Sequence, residues 1–230
     1  SFRQNSIITK LNRGTEKMIF ASNIFSAQLG QADEFTNVMA NILKVMLEHD
    51  IQAGIKVSVS GTSSTEVFIN SVFPDMSTFA NATAKLRQSQ KWVDAYMSIG
   101  NSKATVPVDS FVAEVMDGFD DAPSLSEGVI MVNMWKPNPG RLADLKTGMR
   151  IAKEMHMKHG ASAIRAYQVY GGRFSGCYGY NVSFTDMEAM GSWWDAGREE
   201  NEKYFEEAGK DPAAEVQAQI ILDNPAVIGR

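Results

Sequence analysis

The chain has 230 residues, 44% of them hydrophobic and 21% charged, with a formal net charge of −5. That excludes a disordered chain, a fibre and a disulfide-stapled mini-protein, and it leaves enough length to bury a core without metal or disulfide support. No Lys/Arg block offers a basic stripe to nucleic acid, the lone Cys177 can form no internal disulfide, and no apolar run nears the roughly 20 residues that span a bilayer. The expectation is a cytoplasmic protein with neither nucleic-acid nor membrane partners.

After a polar lead-in at 1–16, a short apolar run from Lys17 to Phe25 reads as a buried strand. A glycine break at Gly30 follows, and then a helical pattern carried by Phe35, Met39, Ile42, Val45 and Met46, ending near His49. Residues 54–60 and 65–73, separated by Gly61-Thr62-Ser63-Ser64, form a predicted hairpin. Asp75 or Ser77 caps a second helix bearing Phe79, Ala82, Leu86, Trp92 or Val93, and Tyr96; a strand at 109–115 closes the series. A polar, proline-containing stretch at 120–127 reads as a linker.

The same order then repeats about 110 residues later. Gly128–Trp135 is a strand, Pro137-Asn138-Pro139-Gly140 a break, and Leu142, Leu145, Met149, Ala152 and Met155 a helical stripe ending near His159. Strands at 163–170 and 176–184 flank Gly171-Gly172-Arg173, a helix opens at Thr185 or Asp186 and carries Met190, Trp193, Trp194, Tyr204 and Phe205, and a strand at 215–221 ends the copy. Each copy reads β-α-β-β-α-β, the ferredoxin-like unit. The expected fold class is α+β: two tandem ferredoxin-like units, 17–119 and 128–230, packed sheet to sheet as an intramolecular dimeric α/β barrel. Apolar residues on both faces of the first strands demand cover on both sides.

The element order, the Pro139-Gly140 break, the phrase at His159–Ser162 and the run Tyr167–Gly176 resemble the dimeric α/β barrel superfamily over roughly 17–225. That group takes in antibiotic-biosynthesis-monooxygenase-like domains, NIPSNAP-like proteins, stress-responsive barrels, EthD-like proteins and heme-handling chlorite dismutase relatives. The resemblance implies a barrel that binds a small molecule, in its most concrete version a cofactor-independent monooxygenase acting on an aromatic or polyketide-like substrate. A non-catalytic assembly or ligand-sensing barrel and a heme-binding protein stay open as alternatives, as does further pairing into a homo-oligomer. Whether there is turnover also stays open.

Candidate site residues cluster in the second copy. Asn133, Trp135 and His159 are the candidates for chemistry, and Arg165, Tyr167, Tyr180 and Trp193 those for ligand binding, with Arg165 able to clamp a carboxylate. Asn23, Asn70, Asn133 and Asn181 fall at matching strand positions and could line one polar cavity or form a structural network. His156 and His159, three residues apart on a helix, could act as a proton shuttle or ligate a metal, but no third ligand stands at suitable spacing. Neither a metal nor a cofactor is therefore expected. Cys177 reads as a packed residue, and the Gly171–Gly176 run, lying between strands, as a hairpin loop rather than a phosphate cradle.

Overall fold

A computed structural model describes residues 17–61, 66–119 and 125–224. The 1–16 lead-in and most of the expected linker, 120–124, lie outside the described residues. The elements run β1 (Ile19–Ala27), α1 (Ala32–Glu48), β2 (Gln52–Ser60), β3 (Glu66–Phe73), α2 (Met76–Gln88), α3 (Gln90–Asn101), β4 (Thr105–Val115), β5 (Val129–Pro137), α4 (Leu142–Lys158), β6 (Ala163–Tyr170), β7 (Tyr178–Phe184), α5 (Met187–Lys210) and β8 (Ala214–Asp223). The eight strands form one antiparallel closed barrel in the order β1-β3-β2-β8-β5-β7-β6-β4. β2 joins β8 through Val57–Ser60, and β4 joins β6 through Val112–Val115. These two short seams remove most of the open edges that a flat sheet would present.

Closure sends alternate residues of each strand to opposite sides. Phe20 and Ser22 of β1, Phe68 and Asn70 of β3, and Ile130, Val132 and Met134 of β5 face inward with Phe111, Ile220 and Leu222. Only about 30 Å³ of space remains among them, so the interior is packed with side chains. The intervening residues face the helices. Ile19, Ala21 and Phe25 pack with Phe35, Met39, Ile42 and Met46 of α1 and with Ala95 and Ile99 of α3. Met131 and Val182 lie in a cluster with Leu145, Met149 and Ala152 of α4 and Trp193 of α5.

Helix starts follow local chemistry. Asp75 Oδ1 accepts from Thr78 N–H at 2.6 Å to cap α2, and Asp186 Oδ1 accepts from Ala189 N–H at 2.8 Å to cap α5. The single helix expected after Asp75 is two helices, α2 and α3, broken at Ser89. Ser89 takes an extended conformation, and its hydroxyl meets His49 Nε2 at 2.9 Å. Cys177 lies just before β7 rather than within it, and is buried. Residues 125–128 pass across β2 on their way into β5. Fully buried Lys56 donates to the carbonyls of Glu127 and Gly128 at 2.6 and 2.5 Å, and Gly54 leaves room for Leu125 beneath that crossing. Arg173, in the β6–β7 loop, forms a bidentate pair with buried Glu66 at 3.0 and 2.9 Å and ties that loop to β3.

Packing also requires a glycine at 179. A Cβ on Gly179 would overlap the ring of Tyr167, its neighbour on β6, and Tyr167 is fully buried. Gly179→Ala is therefore expected to lower stability by about 2 kcal/mol or more. Gly191, in α5 with open space around it, should respond oppositely to Ala, by about +0.5 kcal/mol. Urea midpoints of the two variants against the parent check both signs.

Candidate functional site

The outward faces of β5, β7 and β8 do not meet α4 and α5 closely everywhere. Between them lies a cleft of about 1210 Å³, open to solvent along α5. Its floor is Met131, Asn133 and Trp135 of β5, Tyr180 of β7 and Gln219 of β8. Leu145, Met149, Ala152 and His156 of α4 form one wall; Trp193, Trp194, Asn201, Tyr204 and Phe205 of α5 form the other. The α5 residues recur at helical spacing, which puts them on one face. Exposed Ile151, Trp194 and Phe205 extend the apolar surface to the mouth. A second groove, about 1120 Å³, runs beside α1 over Phe35, Met39 and Leu43, with Thr36, Asn37 and Lys44 along it. Among the described residues, no comparable set of buried polar groups meets there.

Within the cleft, polar atoms converge on one side. His156 is 7% exposed. Its Nδ1 lies 3.1 Å from the Tyr180 hydroxyl and its Nε2 3.3 Å from Asn201 Oδ1. An amide oxygen only accepts, so Nε2 carries the hydrogen and Nδ1 accepts from the Tyr180 O–H. The imidazole is held edge-on to Trp193, with ring centres 5.1 Å apart, and to Tyr180 at 5.6 Å. Gln219 Nε2 donates to Asn133 Oδ1 at 2.9 Å, orienting that amide in the floor. Trp135 stacks on Phe205 at 6.5 Å, and the Tyr204 hydroxyl donates to the Gly148 carbonyl at 3.0 Å, joining α5 to α4. The Trp193 indole N–H is buried with no hydrogen-bond partner among the described residues.

Burial governs the ionisation of this group. It lowers His156 to about 4, helped by repulsion from His159 and opposed by the hydrogen bond to Asn201, so the ring is neutral at pH 7. Burial also pushes the Tyr180 phenol well above its ordinary range, so Tyr180 holds its proton at rest. At the mouth, Arg141 is tied to Asp144 and Asp211 at 2.6 Å each, and Arg198 pairs with Asp195 at 2.9 Å. The lining arginines are thus neutralised; Glu207 is paired with Lys210, and Glu202 together with the second carboxylate on Arg141 leaves the mouth acidic.

The sequence-derived residues divide among three places. Asn133, Trp135, Tyr180 and Trp193 meet in the cleft. Arg165 and Tyr167 point the other way, into the packed barrel interior, where Arg165 lies over the Phe20 ring and Tyr167 donates to Asn181 Oδ1 at 3.1 Å. His159 caps the end of α4 and meets Glu200 at 2.6 Å outside the cleft. Nor do the asparagines line one cavity: strand alternation puts Asn70 and Asn181 inside the barrel and Asn133 in the cleft. Asn201 and Gln219 were not singled out from the sequence. The available signal was the aromatic and polar stripe 194, 198, 201, 205 along α5. Among the described residues no cluster of His, Cys, Asp or Glu is arranged to hold a metal ion.

No protein-family model and no curated protein matches the sequence. Solved structures do match the fold. A provisionally assigned monooxygenase from Fusobacterium nucleatum is similar with a TM-score of 0.66 at 11% identity, over 91% of this chain and 95% of that one. A provisionally assigned chlorite dismutase aligns with a TM-score of 0.56 at 14% identity, over 90% and 94%. A heme-binding protein from Thermus thermophilus aligns with a TM-score of 0.56 at 10% identity, over 94% and 96%. These likenesses establish an α+β fold of the ferredoxin-like barrel kind. No helix among the described residues is long and apolar enough to cross a membrane.

The buried imidazole has a measurable consequence. His156 titrates at about 4 when folded and near 6.5 when unfolded. Its contribution is therefore fully present above pH 6.5 and is lost as pH falls toward 4. At about 1.4 kcal/mol per pH unit, roughly 3 kcal/mol disappears over that interval. Urea unfolding of the parent and of His156→Gln at pH 7 and 4.5 checks this: the variant should lose less stability on acidification than the parent.

Proposed function

We propose that this chain is a small-molecule-binding barrel made of two tandem ferredoxin-like units, 17–119 and 128–230, and that the cleft over β5, β7 and β8 takes an uncharged aromatic ligand. The cleft itself carries this reading: a volume of about 1210 Å³, walled by Trp, Phe, Leu and Met, with Asn133, Tyr180, His156 and Asn201 gathered along one side. That combination of apolar wall and few oriented polar groups is what ligand sites present. The tandem reading rests on matching strand sets, β4-β1-β3-β2 and β8-β5-β7-β6, joined at both edges. The neutralised, acid-rich mouth favours neutral over anionic ligands.

The reaction we propose is cofactor-independent oxidation of such a ligand by O2. An anthrone supplies its own electrons: loss of a proton gives a carbanion that reduces O2, one oxygen atom enters as the new carbonyl, and the other leaves as water. The site's share is to hold the ring system against Trp135 and Trp193, to exclude water, and to accept the proton. Proteins with the names monooxygenase and anthrone oxidase-like share the fold, which is compatible with this chemistry without establishing it. An iron-porphyrin reading fits these residues less well. His156 commits both ring nitrogens within the protein, His159 does not line the cleft, and the two lining arginines are already paired with carboxylates.

Binding and turnover separate cleanly. Anthrone should quench the cleft tryptophans and, in air, yield anthraquinone with matching O2 uptake. Ala152→Phe, which fills the cleft from the α4 wall, should weaken binding about tenfold or more and, because Ala152 is itself buried, lower stability by about 1–3 kcal/mol. Arg165→Ala, in the barrel interior, should also lower stability but leave affinity nearly unchanged. Quenching without O2 uptake would leave a binding protein; loss of binding in Arg165→Ala but not in Ala152→Phe would move the site out of the cleft.

A further inference from the structure

Three side chains from three elements form an unbroken hydrogen-bonded line beside the cleft. Tyr180 stands on β7, His156 on α4 and Asn201 on α5, and all three line the same cavity. The directions are fixed by chemistry: the Tyr180 O–H donates to Nδ1, and Nε2–H donates to Asn201 Oδ1. Tyr180 has therefore spent its one hydrogen on His156 and keeps its oxygen lone pairs available to accept. A neutral imidazole braced in this way is more than a packed core histidine requires. A buried His could meet its needs with one neutral partner and solvent, whereas this one is aligned between a phenol and an amide oxygen that can only stabilise an N–H.

We propose that Tyr180, His156 and Asn201 form a proton relay by which a hydroxyl-bearing aromatic ligand in the cleft is deprotonated. The ligand O–H donates to Tyr180 Oη. Its proton passes to that oxygen as the proton of Tyr180 passes to His156 Nδ1. The ligand is left as an oxyanion, Tyr180 is unchanged, and His156 becomes an imidazolium whose Nε2–H stays bound to Asn201. Two protons shift together, the net transfer is one proton from ligand to His156, and charge is conserved. The new ion pair, phenolate-like ligand and imidazolium, forms across one phenol in a poorly solvated site, where its mutual attraction is strong. Tyr180 is the residue that touches the ligand; His156 takes up the proton, and Asn201 is a positioning residue that fixes the imidazole tautomer. No carboxylate stands in the line. Glu200, near in sequence, is engaged by Lys158 and His159 instead.

This inference rests on the cleft being the ligand site, and the test distinguishes the two. The probe is 2-naphthol, a neutral aromatic alcohol that becomes strongly acidic when photoexcited. Its neutral and deprotonated forms emit at different wavelengths. Binding is read by quenching of the cleft tryptophans, and proton acceptance by the naphtholate share of bound-probe emission. The full chain should bind and show naphtholate emission faster than the solvent-limited rate. Tyr180→Phe and His156→Gln should lose about tenfold of that fast naphtholate component, read on the bound probe alone so that any change in affinity is divided out. Asn201→Asp places a carboxylate behind the imidazole, and should raise the naphtholate share, a gain that misfolding cannot mimic. Absence of quenching in the parent overturns the cleft reading and the relay with it. Quenching with an unchanged naphtholate share in His156→Gln overturns the relay alone.

Discussion

The constraint on which everything else rests is strand alternation in a closed barrel. Eight strands joined edge to edge offer each side chain only two destinations, a packed interior or a helix-covered exterior. A one-residue difference in position therefore decides whether a polar residue can meet a ligand. On β5, Asn133 and Trp135 fall outward, into the cleft, while Val132 and Met134 fall inward. On β7 the same rule sends Tyr180 out and Asn181 in. The inward set is fully used in filling the barrel, so any ligand must be accommodated outside it.

The different linings of the two exterior grooves follow from the helices. Over β1 and β4 the chain breaks its second helix at Ser89. The break lets α3 pack along α1, with Ala95 and Ile99 buried against Phe35, Met39 and Ile42. Over β5 and β8 the second helix, α5, runs unbroken for 24 residues. Trp193, Tyr204 and Phe205 of α5 line the space between it and the sheet, and the Tyr204 hydroxyl reaches the Gly148 carbonyl of α4. On the proposed repeat, the two copies leave different gaps: the first a groove of about 1120 Å³ beside α1 over Ile55, Val57 and Val67, the second the aromatic-walled cleft with its buried polar groups. The aromatic residues of α5 then serve as the wall of that space and not as core.

Much of this fold was legible in the sequence. Strand order, a cap at Asp75 or Ser77 and at Thr185 or Asp186, and the two faces of β5 follow from periodicity and turn chemistry, because each is decided within a few neighbouring residues. The break at Ser89 was not legible, since Gln88-Ser89-Gln90 holds neither Gly nor Pro, and the extended residue there is supported by packing on α1 and by His49. The candidate site was legible only in part. Arg165 and Tyr167 share a strand region with good candidates, yet the parity of β6 directs them to the interior. Asn201 joins His156 from 45 residues further along the chain, a distance that no local pattern spans.

Those same packing choices set the chemistry available. His159, at the end of α4, spends its Nε2 on Glu200 outside the cleft. One turn back, His156 is turned inward beneath Trp193 and against Tyr180, where water cannot satisfy it. Burial there disfavours the charged ring, so the fold keeps it as a neutral acceptor; only a negative charge created beside it can repay the cost of protonation. A ligand that becomes an anion in the cleft supplies that charge. The destabilised imidazolium and the incipient oxyanion each offset the cost of the other, which makes proton transfer within the pair more favourable than either ionisation alone. The cleft therefore need not carry a fixed positive charge to favour an oxyanion, and its acidic mouth can still admit the ligand in its neutral form.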